Sequence, residues 1–81
     1  MATAADPAQT QAQEEKAKGN AAFQNGDFHA AVQHFTNAIQ LSPQDHLLYS
    51  NRSGAFASLK DFENALKDAE TCVKLKPDWA K

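Results

Sequence analysis

Along this chain apolar and polar positions recur at the three-and-four spacing of an α-helix, in four blocks. The clearest is FHAAVQHFTNAIQL, residues 28–41, in which Phe28, Ala31, Val32, Phe35, Ala38 and Ile39 form one apolar stripe. Ahead of it, AQEEKAKGNAAFQ holds no proline and no β-branched residue and stops at Asn25-Gly26, a turn signal. HLLYSNRSGAFASL and FENALKDAETCVKL follow. Asp27, Asp45 and Asp61 stand directly before the second, third and fourth blocks, where a carboxylate can accept the free backbone N–H groups of a helix start. Ser42-Pro43 and Lys76-Pro77 are stops, and Lys74 and Lys76 suit the negative end of the last helix. Asp78-Trp79-Ala80-Lys81 reads as the opening of a fifth helix.

The blocks pair into a repeat. Shifted by 34 residues, the chain matches itself: Asp27 on Asp61, Phe28 on Phe62, Ala31 on Ala65, Val32 on Leu66, Ile39 on Val73, Leu41 on Leu75 and Pro43 on Pro77. Small residues align too, Gly19 on Ser53 and Ala38 on Cys72. The expected fold is all-α, with antiparallel helix hairpins stacked as a solenoid. Repeat one spans 12–45, repeat two 46–79, residues 80–81 are the stub of a third, and residues 1–11 are a flexible tail. Gly19, Ala22, Ala31 and Ala38 let the two helices of a hairpin approach closely, and larger residues there would overpack the contact. Phe28, Ala31, Phe35, Phe62 and Ala65 are the expected core, with Cys72 in a small-residue slot of it. Leu59, Leu66, Val73 and Trp79 supply an outer face that a third repeat would cover.

Composition narrows the function. The chain has 81 residues, room for one domain, and 42% of them are hydrophobic. A net charge of −2 argues against a general nucleic-acid binder. A single cysteine, Cys72, forms no internal disulfide, and His29, His34 and His46 are scattered without zinc-ligand spacing. No cofactor is expected, and a reduced, cytoplasmic setting fits. The first residues lack the charged end and apolar run of a secretory signal, and no stretch has the length to span a membrane. No nucleophile–base pair, phosphate loop or metal set is present, so the chain is not expected to be an enzyme.

The period and the residues Ala31, Phe35 and Pro43, then Ala65 and Pro77, resemble the tetratricopeptide repeat, although Ala69 replaces the second phenylalanine. KAKGNAAF, LYSNRS and LKPDWAK together resemble the N-terminal repeat domain of the Hop/Sti1 co-chaperones. The resemblance implies a carboxylate clamp that binds the acidic C-terminal peptide, ending Glu-Glu-Val-Asp, of cytosolic heat-shock chaperones. Matched residue by residue, the clamp is Lys16 and Asn20 from repeat one, Asn51 from repeat two and Lys81 from the third; the family's clamp arginine would fall four residues after Lys81. Lys16 and Asn20 stand at i and i+4, on one helical face. Lysine offers cationic donors and asparagine neutral amide donors to a terminal aspartate. Gly54 and Ala57 line the groove and leave room for ligand backbone or a small apolar side chain. Arg52, beside Asn51, lies on another face and is expected to pair with a neighbouring acid.

Taken alone, Lys16 is a solvated charge and Asn20 a local hydrogen-bonding group; the resemblance makes both ligand contacts. The implied partners are chaperones of the seventy-kilodalton class, with the ninety-kilodalton class as the alternative. A stop inside a family helix leaves the clamp incomplete and suggests a piece of a longer protein, with weak tail binding and self-association through the uncovered second repeat. Two other functions fit the repeat: a structural or self-assembling module whose groove is unused, and the targeting segment of a repeat-fused enzyme.

Overall fold

A computed structural model describes residues 7–76, and among them every regular element is an α-helix. In chain order they are α1 (Pro7–Gln24), α2 (Phe28–Leu41), α3 (His46–Ser58) and α4 (Phe62–Leu75). α1 packs on α2 and α3 on α4 as two hairpins; α2 lies against α3, and α1 also touches α3. The helix starts are those the aspartates mark. Asp27 accepts from Ala30 N–H at 3.2 Å, Asp45 from Leu47 N–H at 3.0 Å and Asp61 from Asn64 N–H at 3.4 Å. At the chain start the expectation needs correcting: α1 begins at Pro7, a residue pre-set for the first helical position, so residues 7–11 are helix and not tail. Trp79 and the stub at residues 80–81 lie outside the described residues.

Both hairpins turn through the same device. Gly26 (φ 81°) and Lys60 (φ 65°), which are 34 residues apart, hold the left-handed position after α1 and α3. In each turn the next residue's N–H reaches back across the helix end: Asp27 to the Ala22 carbonyl at 2.8 Å and Asp61 to the Phe56 carbonyl at 2.9 Å. The same two aspartates then cap α2 and α4, so each short link has its backbone groups engaged at both ends.

The core runs through the hairpin contacts. Ala31, Phe35 and Ala55 form its centre, with Ala22 and Val32 packed against it, and Ala12, Ala38, Leu48 and Ala65 are buried as well. Gly19 is buried under Phe35: a Cβ there would stand 2.6 Å from Phe35 Cε1 and 2.7 Å from Cδ1, which explains the glycine. The second hairpin holds Ser53 and Ala69 at the equivalent positions, and Ser53 Oγ donates to the Ala65 carbonyl at 2.7 Å.

Two core expectations fail. Phe62 is 65% exposed, and Cys72 is only half-buried. The reason for Phe62 lies in its neighbour. Phe28 is half-buried because the Phe23 ring meets it edge-on, centroids 5.2 Å apart; the residue equivalent to Phe23 in the second repeat is Ala57, which offers no ring. Leu66 (60% exposed) and Val73 (66% exposed) continue the open outer face of α4, as the repeat pattern anticipates.

Candidate functional site

α1 and α3, the first helices of the two hairpins, lie side by side and bring the two candidate amides together. Asn20 on α1 and Asn51 on α3 line one hollow of about 260 Å³, with Phe23, Phe35, Ser50 and Gly54 as its other walls. The helical period accounts for this grouping: 20 and 23 share a face of α1, and 50, 51 and 54 share a face of α3. The amides can donate four N–H bonds between them, and the Phe23 and Phe35 rings make part of the lining apolar. Such a hollow suits a carboxylate attached to an apolar chain.

Lys16 shares that face of α1 and lines a neighbouring hollow. It sits one turn earlier on α1, about 6 Å along the axis, half-buried, in an adjoining hollow of about 360 Å³ shared with Ser42, Pro43, Asp45 and Leu48. The turn between α2 and α3 forms one wall of that second hollow. Among the described residues Lys16 enters no ion pair, whereas Lys18 pairs with Glu15 at 3.5 Å. Ala57 is exposed on α3 and lines neither hollow, so the expected groove wall there is Gly54 without Ala57. Lys81 lies outside the described residues. The sequence reading missed Phe23, Phe35 and Ser50; Phe23 was within reach of the pattern, since 16, 20 and 23 fall on one helical face.

Arg52 faces away from the hollow. Its Nε and Nη2 donate to the two carboxylate oxygens of Asp68 at 2.7 Å each, and Nη1 donates to Thr36 Oγ1 at 3.2 Å. The guanidinium carbon lies 5.9 Å from the Tyr49 ring centre and 5.7 Å from that of Phe56. The hydrogen bonds to Asp68 raise the guanidinium's already high pKa, against the opposing effect of burial. This cluster ties α2, α3 and α4 together. On the other side of the first hairpin, Glu15 accepts from Asn37 Nδ2 at 3.1 Å and lies 2.9 Å from His34 Nδ1. The contact with His34, then that with Asn37, holds its carboxyl below the ordinary value.

Among the described residues no helix is long and apolar enough to cross a membrane, and no group of three or more His, Cys, Asp or Glu side chains could hold a metal ion. Family models for the tetratricopeptide repeat match residues 13–45 and 47–78. Among known proteins the chain is 61% identical over 70 residues to Hsp70-Hsp90 organizing protein 2 of Arabidopsis thaliana, covering 86% of this chain and 12% of that protein. It is 59% identical over 70 residues to the heat shock protein sti1 homolog of Schizosaccharomyces pombe, again 86% of this chain and 12% of the relative. The Hsp70-Hsp90 organizing protein of Triticum aestivum is 60% identical over 70 residues, with the same coverage. The chain thus spans about an eighth of the length of these relatives, 12% in each case.

Proposed function

The chain belongs to the tetratricopeptide-repeat family, and we propose that it is the peptide-binding module of a co-chaperone adaptor. Its ligand is the acidic C-terminal peptide, of Glu-Glu-Val-Asp type, of cytosolic heat-shock chaperones. Asn20 and Asn51 donate to the terminal carboxylates, Lys16 reaches the ligand from the neighbouring turn, and Lys81 adds a second cation. The role is one of binding, without catalysis, in the cytoplasm. The observation that carries this reading is the hollow that Asn20 and Asn51 share with Phe23 and Phe35. The relatives' names, which speak of organizing Hsp70 and Hsp90, support the partner class. The seventy-kilodalton class is the preferred partner, and titration with the two tail peptides decides between the classes.

The test is calorimetric titration of the chain with a Glu-Glu-Val-Asp peptide. A hydrogen bond to a charged group contributes about 1.5–3 kcal/mol, so Asn20→Ala or Asn51→Ala should weaken binding about ten- to a hundredfold with the melting curve unchanged. Unaltered affinity in both variants, or equal affinity for a peptide with an amidated C-terminus, would sink the reading.

A second reading, self-association, is favoured by the outer face of α4. Phe62, Leu66, Ala69 and Val73 recur there at intervals of four, three and four, and all are exposed. Sedimentation velocity over a wide concentration range tests it; a sedimentation coefficient independent of concentration rejects it.

A further inference from the structure

Three aspartates cap helices in this fold, and they stand in different surroundings. Asp27 and Asp61 close the turns inside the two hairpins. Asp45 caps α3 in the turn between the hairpins, where its Oδ1 accepts from Leu47 N–H at 3.0 Å. There it lines the hollow of about 360 Å³ that Lys16 also lines. Both residues are half-buried, and they form no ion pair with each other. The capping bond holds the carboxylate at the helix start, so the hollow contains a fixed negative charge as well as the cation that a ligand can use.

Capping does not require that charge, since asparagine serves as well as aspartate at a helix start. The charge nevertheless acts on the hollow. Lys16 stands about 6 Å along α1 from Asn20, the reach of two extended peptide residues. In a Glu-Glu-Val-Asp peptide anchored by its terminal carboxylate between Asn20 and Asn51, the glutamates lie two and three residues from that anchor. A glutamate at Lys16 gains a cation and meets Asp45. Like charges about 8 Å apart in a site open to water repel enough to change an affinity about two- to tenfold. Gln13, Ser42 and Gln44, the other polar walls, carry no charge to offset it.

We propose that Asp45 is a specificity-determining residue: it sets its carboxylate against the acidic side chains that precede the peptide's terminus, so the groove favours acidic tails less strongly than Lys16 alone would make it. This rests on reading Asn20, Asn51 and Lys16 as an acidic-peptide site. Recognition then depends chiefly on the terminal carboxylate held by the amides, and neutral residues ahead of it are admitted at modest cost.

The experiment titrates wild type, Asp45→Asn and Asp61→Asn with Glu-Glu-Val-Asp and with Gln-Gln-Val-Asp, beside urea denaturation of all three proteins. Asp61→Asn removes the same charge from a cap at the far end of α3, about 20 Å along the helix. Asp45→Asn should bind the glutamate peptide about two- to tenfold more tightly than wild type does. The glutamine peptide should gain clearly less, and the denaturation midpoint should stay where it is. The gain should shrink in about 1 M salt, where charges are screened beyond about 3 Å. Asp61→Asn should bind both peptides as wild type does. Binding seen only in Asp45→Asn supports the assignment. An equal gain for both peptides, no gain, or the same gain in Asp61→Asn overturns the assignment of Asp45 and leaves the site standing. Failure of all three proteins to bind either peptide overturns both.

Discussion

Replacing Arg52 by alanine should abolish or nearly abolish folding, whereas replacing its neighbour Asn51 should not. Arg52 gives Asp68 two hydrogen bonds of 2.7 Å, and the Asp68 side chain is only 7% exposed. Truncation would leave that carboxylate enclosed between helices without its cation. Deleting one member of a buried ion pair costs about 3–5 kcal/mol. Loss of the guanidinium from the Tyr49 and Phe56 rings adds roughly 0.5–1 kcal/mol for each contact. The core of a domain this small supplies only about 3–5 kcal/mol, so the two quantities are comparable and the folded state should be lost. Asn51 reaches no such partner, and Asn51→Ala should shift stability by less than about 0.5 kcal/mol.

Urea denaturation followed by far-ultraviolet circular dichroism measures these differences. A paired replacement separates the charge from the packing. Arg52→Met with Asp68→Leu removes both ions at similar volume, and such exchanges are commonly neutral or stabilising. It should therefore restore most of what Arg52→Ala loses. Cooperative unfolding of Arg52→Ala within about 1 kcal/mol of wild type would refute the reasoning, because the pair would then behave as a solvated surface contact. A paired variant less stable than the single one would refute it from the other side.

Three further outcomes are expected. Lys60→Gly should stabilise the domain by about 1 kcal/mol, read as a higher denaturation midpoint, because Lys60 holds a left-handed backbone that Gly26 adopts without strain in the first hairpin; an unchanged midpoint rejects this. Glu15 is depressed below its ordinary value near 4.5, so its contribution is present above that value and fades as pH falls through the lower folded value; in a denaturation series against pH, Glu15→Gln should lose part of the acid-side decline, and a parallel pair of curves would contradict the assignment. Gly19→Ala should destabilise by up to about 2 kcal/mol, since overpacking costs about 1–3 kcal/mol and alanine's helix propensity returns about 1 kcal/mol; Phe35→Leu in the same chain should recover the difference, and no recovery would mean that the close approach is not the cause.

Helices were legible because three kinds of signal coincided: a three-and-four period, an aspartate at each of three starts and a proline after each hairpin. The first hairpin turn announces itself in Asn25-Gly26. The second does not, since Lys60 carries no chemical hint of a left-handed backbone, and only the 34-residue offset locates it. Periodicity also cannot say which flank of a stripe finds a neighbour, so it places Phe62 in the core, whereas the ring that shelters Phe28 is missing at Ala57. The site was partly legible for the same reason. Position 51 is not the repeat equivalent of 20, so no internal symmetry pairs them; the stacking of α1 against α3 does, and family resemblance supplied it. Resemblance did not foresee that the turn at Ser42–Asp45 would give Lys16 a hollow of its own.

Adjacent residues divide the work of folding and of recognition at two points. On α3, Asn51 faces the hollow while Arg52, about 100° around the helix, faces Thr36 and Asp68. On α1, Asn20 faces the hollow while Gly19 lies under Phe35. The two duties are not fully separate, because Phe35 belongs to both: it fills the core against Gly19 and lines the hollow that holds the two amides. Gly19 therefore acts on the hollow through Phe35. A methyl at position 19 must push the ring toward the groove or distort the hairpin, and packed interiors transmit such displacements instead of absorbing them. Polar residues of the hollow can change with little effect on the fold, but Phe35 cannot, since the ring that lines the hollow is the same ring that packs the core of the first hairpin.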